Sequence, residues 1–394
     1  MDPLSGLLKL PADEREKRGL LHTPAEIAQQ PATWQKTVEL FRQRQAEIKE
    51  FLSSAGVLAA DASSRPAVFL IGAGTSDYVG QALAYLLRRM WQCEVLAVPS
   101  TDLVTHDDAL VLPHRKYLWI SFARSGDSPE GVAVLQRGLE KRPDISQLVV
   151  CCNAQGKMLK LVEGRRKALS ICLDDAVNDR GLAMTSSFSN MVVFGQCMAN
   201  IRELRAYEDV VGRLIDAGNR LLPLAAEVAE KLAQDSFTKA CMIGSGALRA
   251  VAKESALKLL EMTAGKTLTM SESSLGLRHG PMAALDGNTL LVCFISGDSR
   301  LQKFEMDLLE EIGKKKLVRS RVLVSDSPFA ASDSPGEYYL ASRAQVGDEY
   351  RPPIDVIFGQ LLGLFFSLRY GLRPDSPSPT GAISRVVQKF NIHY

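Results

Sequence analysis

The stretch Ala67-Val68-Phe69-Leu70-Ile71-Gly72-Ala73-Gly74-Thr75-Ser76 decides the fold. Five apolar residues ending on glycine predict a buried strand and a tight turn, and the residues at 79–90 predict a helix after it. The unit then recurs. Tyr117-Leu118-Trp119-Ile120-Ser121-Phe122 reads as a second strand with a helix over 131–139, and Leu148-Val149-Val150-Cys151-Cys152 as a third strand. Strand, loop and helix in alternation imply a parallel sheet with helices on both faces.

Further along, the same signals return. Ile71-Gly72-Ala73-Gly74 matches Ile243-Gly244-Ser245-Gly246, and the strand at Tyr117 matches Thr289-Leu290-Leu291-Val292-Cys293-Phe294, both at an offset of 172 residues. Ser125-Gly126-Asp127-Ser128 matches Ser296-Gly297-Asp298-Ser299 at 171, and the third strand matches Arg321-Val322-Leu323-Val324 near the same offset. Four matches in one register argue for internal duplication, two copies of one α/β domain. A helical stretch over 202–222 reads as the linker. Ahead of the first copy, Thr23-Pro24-Ala25-Glu26 has the form of a capping box with proline at N1, and the first ordered element is expected there. From Pro31 one amphipathic helix is expected, with Trp34, Val38, Phe41, Ile48 and Leu52 on its apolar stripe and Gln45 filling one slot. Such an arm must cover an apolar face of the main body or of a neighbouring subunit.

Composition narrows the function classes. The 394 residues are 23% charged and 46% hydrophobic with a net charge of +2, ordinary values for a globular chain. Without a basic surplus, neither nucleic acid nor an anionic membrane is an expected partner. The longest apolar stretch, 356–368, is interrupted by Gln360 and Ser367 and is shorter than the roughly 20 residues a membrane span needs. Met1-Asp2-Pro3 does not open a signal peptide. The seven cysteines are odd in number and scattered, which reads as reduced core thiols in a cytoplasmic protein. Neither CxxC nor HExxH occurs, so no metal site is signalled.

In a parallel sheet, ligands bind beyond the C-terminal strand ends. The loop Gly72-Ala73-Gly74-Thr75-Ser76 lets backbone N–H groups approach an anion at a helix start. Asp77 stands where a dinucleotide fingerprint has its third glycine, and Arg249 stands there in the second copy, so NAD binding is disfavoured. No GK[ST] follows, so it is not a Walker loop. A tight strand-to-helix turn is the plainer account of it. In Arg124-Ser125-Gly126-Asp127-Ser128-Pro129-Glu130, Ser125 and Ser128 bring hydroxyls to a helix start, and Arg124 adds charge. A helix-capping serine is the plainer account here too, but two hydroxylated glycine loops on successive strands favour a phosphate monoester. Thr185-Ser186-Ser187-Phe188-Ser189-Asn190 is a third hydroxyl-rich helix start. In the second copy Glu254, Lys258 and Glu261 share one helix face, and Gly276-Leu277-Arg278-His279-Gly280-Pro281 follows. Carboxylates with a lysine and a histidine move protons, although a surface ion-pair ladder and a structural histidine are the plainer account of the spacing alone.

These residues resemble a known family. GAGTS at 72–76, RSGDSPE at 124–130 and ESALKLLE with HGP between 254 and 281 resemble the sugar isomerase (SIS) domain. The tandem pair is similar to the isomerase half of glucosamine-6-phosphate synthase. The match is closer to the AgaS family of galactosamine-6-phosphate deaminase/isomerases, also labelled tagatose-6-phosphate ketose/aldose isomerases. It extends over EIAQQPATW at 26–34, TDLVT at 101–105, DRGLAMTSS at 179–187, ESALKLLEMTAGK at 254–266, GLRHGP at 276–281 and RPDSPSPTGAISRVVQ at 373–388. The resemblance implies two tandem SIS domains, each a parallel sheet flanked by helices in a flavodoxin-like three-layer sandwich. The expected boundaries are an arm at 1–48, domains at 49–208 and 225–372, and an active-site tail at 373–394.

By that resemblance Ser76, Ser125 and Ser128 match phosphate-binding residues, and Arg124 replaces a glutamine. Thr75, Gly126, Thr185 and Ser186 complete the expected substrate-binding set. Glu261 matches the carboxylate that moves a proton between C1 and C2, Lys258 the lysine one turn earlier, and His279 the ring-opening histidine that reaches the partner subunit's site. Arg385 stands where the synthase has a Schiff-base lysine; a guanidinium stays protonated and is expected to bind substrate oxygens instead. Residue 2 is Asp and the first cysteine is Cys93, so glutamine-driven synthesis is not expected and amine release is. The implied reaction converts D-galactosamine 6-phosphate and water to D-tagatose 6-phosphate and ammonia. It needs no cofactor and runs in a homodimer with shared active sites, in amino sugar metabolism. A plain aldose/ketose isomerase and a sugar-phosphate-sensing regulator are the alternatives, and galacto against gluco stereochemistry rests on the resemblance alone.

Overall fold

The computed structural model describes residues 1–328, 335–386 and 390–393, so Val387, Gln388, Lys389 and Tyr394 of the expected tail lie outside the described residues. The arm is five helices: α1 (Pro3–Leu8), α2 (Ala12–Arg18), α3 (Thr23–Ala28), α4 (Gln30–Gln43) and α5 (Gln45–Ser54). Order therefore begins before Thr23. Asp2 caps α1 through the Ser5 N–H at 3.0 Å, and Leu4 and Leu7 are buried; a six-residue helix is too short to announce itself by periodicity. The single helix expected from Pro31 is two, divided at Arg44 (φ −104°, ψ 9°), and the Gln45 amide donates to the Ile201 carbonyl at 3.1 Å. The expected capping box does not form. Thr23 Oγ1 donates to Asp375 at 2.7 Å, and the Glu26 carboxylate accepts from the Arg180 and Gly181 N–H groups. Partners distant in sequence, an acceptor for Thr23 and two donors for Glu26, have taken both residues of the box.

The first copy runs β1 (Ala67–Gly72), α6 (Thr75–Trp91), β2 (Val95–Pro99), α7 (Ser100–Leu110), β3 (Tyr117–Ala123), α8 (Pro129–Lys141), β4 (Ser146–Cys151), α9 (Lys157–Val162), β5 (Ala168–Cys172) and α10 (Ser186–Ala199). Helix α11 (Leu204–Gln234) follows and continues through Pro223, beyond the expected linker end at 222. Leu221, Ala225, Ala226, Ala229 and Leu232 are all buried along it, and that packing outweighs the one backbone donor a proline lacks. The second copy runs β6 (Lys239–Gly244), α12 (Ala247–Met262), β7 (Leu268–Ser273), β8 (Thr289–Phe294), α13 (Ser299–Lys314), β9 (Ser320–Ser325), β10 (Glu337–Ala341) and α14 (Pro352–Arg369).

Both sheets are parallel, ordered β2-β1-β3-β4-β5 and β7-β6-β8-β9-β10, the same order in each copy. The backbone repeats as well. Gly74 (φ 56°) and Gly246 (φ 58°) take the same left-handed conformation before α6 and α12, which glycine adopts without strain. A Cβ on Gly195 would lie 2.1 Å from Leu83 Cδ1, and one on Gly359 would lie 2.2 Å from Ser255 Oγ, so α10 closes on α6 and α14 on α12 by the same device.

Contacts divide the chain into two compact units. One comprises Thr33–Asn178, Ser186–Asp209 and Ser384–Tyr394 and carries the first sheet. Its core stacks Phe69 on Trp119 and sets Phe69 edge-on to Tyr117 at 5.0 Å; Trp34 and Phe41 of α4 are buried against α10, Trp34 Nε1 donating to Ser189 Oγ and Phe41 lying 5.2 Å from Phe194. The other comprises Met1–Ala32, Asp179–Thr185 and Val210–Ile383 and carries the second sheet, with Ile243, Leu291, Cys293, Leu309 and Leu323 at its centre. All seven cysteines are free, and none of the described helices is long and apolar enough to cross a membrane.

Candidate active site

The order 2-1-3-4-5 has its topological switch point between the first and third strands, where open α/β sheets bind ligands. In the first copy the loops there are those following β1 and β3, the two that the sequence singles out. Thr75 and Ser76 open α6, and both are buried. Ser128 caps α8, its Oγ accepting from the Gly131 N–H at 3.3 Å, and Ser125 Oγ accepts from the Asp127 N–H at 3.2 Å. A hydroxyl that accepts keeps its own proton to donate, so capping and anion binding are compatible at both serines. The Asn153 amide donates to the Ser125 carbonyl at 3.0 Å, and Asp127 accepts from the Lys157 N–H at 3.2 Å, fixing the loop on the strand behind it. Gly126 has φ 68°, and a Cβ there would meet Cys151 Sγ at 2.9 Å.

Arg124 is buried, and its guanidinium donates to the backbone carbonyl of Arg385. The Arg385 guanidinium in turn donates to Asn178 Oδ1 at 2.8 Å. The loop after β3 and the C-terminal segment therefore meet through two arginines, and Asn178, which the sequence reading did not single out, joins the candidate site beside them. Its only signal is its place directly before the DRGLAMTSS motif.

In the other unit the spacing of Glu254, Lys258 and Glu261 describes one set of contacts. Lys258 Nζ lies 3.4 Å from Glu254 Oε1 and 2.7 Å from Glu261 Oε2. The surface-ladder account fails, because the Lys258 and Glu254 side chains are 1% and 0% exposed; the approach of α14 at Gly359 and Gly363 covers them. Glu261 keeps 25% exposure, so one carboxylate of the group reaches solvent while its charge partner is held in the interior. His279 is exposed at the end of the 3-10 turn Gly276–Arg278, and its imidazole makes no hydrogen bond among the described residues. Thr185 is fully buried, its N–H and hydroxyl both directed to Asp179 at 2.7 and 3.0 Å. Ser186, buried at the start of α10, has its carbonyl taken by the Asn190 amide at 2.8 Å.

No family model matches the chain. An AgaS protein of Streptomyces coelicolor is 35% identical to it over 386 residues, 98% of this chain and 97% of that protein. The chain belongs to the AgaS family. The Escherichia coli protein named D-galactosamine-6-phosphate deaminase AgaS is 31% identical over 373 residues, covering 94% of this chain and 95% of its own length. The crystal structure of tagatose-6-phosphate ketose/aldose isomerase from Escherichia coli superposes with a TM-score of 0.82 at 28% identity, covering 94% of this chain and 96% of that one. AgaS membership accounts for the tandem parallel sheets and for hydroxyl loops at one switch point. It makes this chain an enzyme of sugar-phosphate chemistry.

Proposed function

We propose that this AgaS-family protein catalyses the isomerising deamination of an amino-hexose 6-phosphate, D-galactosamine 6-phosphate and water giving D-tagatose 6-phosphate and ammonia. The observation that carries the reading is the buried Lys258 ammonium 2.7 Å from a part-exposed Glu261 carboxylate. A carboxylate hydrogen-bonded to a buried lysine is held in one orientation, which is what a base acting on a carbon-bound proton requires. His279 assists opening of the cyclic sugar to the C1 aldehyde. Glu261 then removes the C2 proton, giving an enolamine, and returns a proton to C1. The resulting C2 imine adds water and releases ammonia, leaving the C2 ketone. Lys258 offsets the negative charge that develops on the C1 oxygen. Thr75, Ser76, Ser125, Gly126 and Ser128 take the phosphate, with Thr185 and Ser186 in the substrate-binding set and Arg124 and Arg385 ordering the tail beside the loop. We place the protein in the cytoplasm as a homodimer, a state that light scattering after size-exclusion chromatography reads directly.

The test is ammonium release from D-galactosamine 6-phosphate. Wild type should turn over, and Glu261→Gln should lose about 10²- to 10⁴-fold in kcat. Equal rates for the two would overturn the role of Glu261. The isomerase name carried by the Escherichia coli structure supports a second reading, interconversion of unaminated hexose 6-phosphates. Turnover of D-galactose 6-phosphate without any ammonium from the amino sugar would establish that reading instead.

A further inference from the structure

The second sheet has a switch point of its own, between β6 and β8, and the loops there match the phosphate loops of the first copy in position: Gly244-Ser245-Gly246 after β6 and Ser296-Gly297-Asp298 after β8. Six donors converge on them. Ser245 Oγ and Ser274 Oγ point at Glu305 Oε1, at 2.7 and 3.0 Å, and the Ser296 N–H points at Glu305 Oε2 at 2.8 Å. Ser296 Oγ donates to Asp348 Oδ2 at 2.5 Å, and the Gly297 N–H and Arg351 Nη1 donate to Asp348 Oδ1 at 2.8 and 3.0 Å. Three hydroxyls, two backbone N–H groups and the outer nitrogen of a guanidinium that is 0% exposed, its other side paired with Asp355 at 2.7 Å, form a donor set suited to an oxyanion. Here they are met by two carboxylates of the chain itself, one of them, Glu305, only 2% exposed.

The duplication shows what has been exchanged. Glu305 lies one to two turns into α13, and at offsets of 170 to 172 residues the first copy has Leu135, Val134 and Ala133, none of which carries charge. Thr75 and Ser76 become Ala247 and the fully buried Leu248. Ser299 stands at the place of Ser128, but the cap of the helix passes to Asp298, whose carboxylate accepts from the Arg300 and Leu301 N–H groups at 2.9 and 3.0 Å. We infer that the second switch point is an anion cradle filled from within, in which Glu305 and Asp348 occupy the places of a phosphate's oxygens and limit the chain to one phosphate-bearing ligand. This goes beyond the proposed reaction and rests on the reading of the first copy's loops as its phosphate site, while its test reads the second copy only.

Thermal melting of the full chain in chloride and in inorganic phosphate, at matched ionic strength, tests the inference. Asp348→Ala frees Ser296 Oγ and the Gly297 N–H, and leaves Arg351 Nη1 with the Ile295 carbonyl as its remaining acceptor, on the side where the Asp348 side chain is 20% exposed; Asp348→Asn keeps the space filled. The alanine variant should melt below wild type in chloride and gain at least twice the phosphate-dependent rise of wild type and of Asp348→Asn. If it folds only in phosphate, the same conclusion follows. Glu305→Ala, which frees Ser245, Ser274 and the Ser296 N–H, is read in the same way. Phosphate responses in both alanine variants no larger than in wild type, or failure of both to fold in either salt while Asp348→Asn folds, would overturn the inference.

Discussion

Replacing Glu26 by glutamine should stabilise the protein at alkaline pH. Glu26 is 6% exposed on α3. Its carboxylate accepts from the Arg180 N–H and from the Gly181 N–H at 3.2 and 3.3 Å. Asp179 and Asp375 stand close by, each held by its own donors, Thr185 and Thr23. Burial, then repulsion from Asp179, push the Glu26 carboxyl up from 4.5 to about 8, against the pull of the two N–H donors. The sign follows from proton counting. Between 4.5 and about 8 the unfolded carboxyl is ionised while the folded one keeps its proton, so the folded state binds more protons and stability falls as pH rises. The contribution is complete below 4.5, declines by about 1.4 kcal/mol per pH unit through that window, and is exhausted above about 8. Glutamine is neutral at every pH and offers one oxygen to the same two donors, so Glu26→Gln removes the slope. Melting curves of wild type and variant at half-unit steps from pH 5 to 9 should diverge steadily up to pH 8 and then run parallel. The gap should widen by roughly 10 °C, since three pH units at about 1.4 kcal/mol make about 4 kcal/mol and about 1 kcal/mol moves the midpoint of a large domain by roughly 2 to 4 °C. A constant gap across the whole range would show that Glu26 is ionised throughout and refute the reasoning.

Other perturbations have equally defined outcomes. Lys258→Met leaves Glu254 and Glu261 facing each other without their cation and should cost about 3 to 5 kcal/mol in urea unfolding, with loss of ammonium release. Gly359→Ala sets a methyl 2.2 Å from Ser255 Oγ and should force α14 off α12, costing about 1 to 3 kcal/mol by thermal melting. Ser128→Ala removes both a helix cap, worth about 1 kcal/mol, and a candidate phosphate donor; KM for the sugar phosphate should rise several-fold while kcat changes little.

How much of this was legible beforehand depended on burial. The central strands β1, β3, β4, β6, β8 and β9 were readable because both of their faces are covered, which writes an unbroken apolar run into the chain. The edge strands β2, β5, β7 and β10 were not, because they are half exposed and their residues are mixed. The loops at the first switch point were legible as small and hydroxylated residues, and the face of α12 as a spacing of charges. What spacing does not encode is the environment. Nothing local to Lys258 says that α14 will cover it, since that depends on glycines about a hundred residues further on. The capping box at Thr23 failed for the same reason, its true partner being Asp375.

The two copies also show how one scaffold came to hold two kinds of chemistry. At the offset of 172 residues, Glu254 and Lys258 of α12 correspond to Ala82 and Leu86 of α6, and all four are buried. At the helix starts the exchange runs the other way, Thr75 and Ser76 against Ala247 and Leu248. A helix start offers unpaired N–H groups and favours anions, whereas a covered mid-helix face holds a lysine and its neighbouring carboxylates in fixed contact. Each copy keeps polar groups at one of these places and apolar groups at the other. On the proposed reading, one helix holds the phosphate and the other the base. If that division is correct, moving hydroxyls into the second copy with Ala247→Thr and Leu248→Ser should not create a phosphate site while Glu305 and Asp348 remain, because the six donors there are already taken.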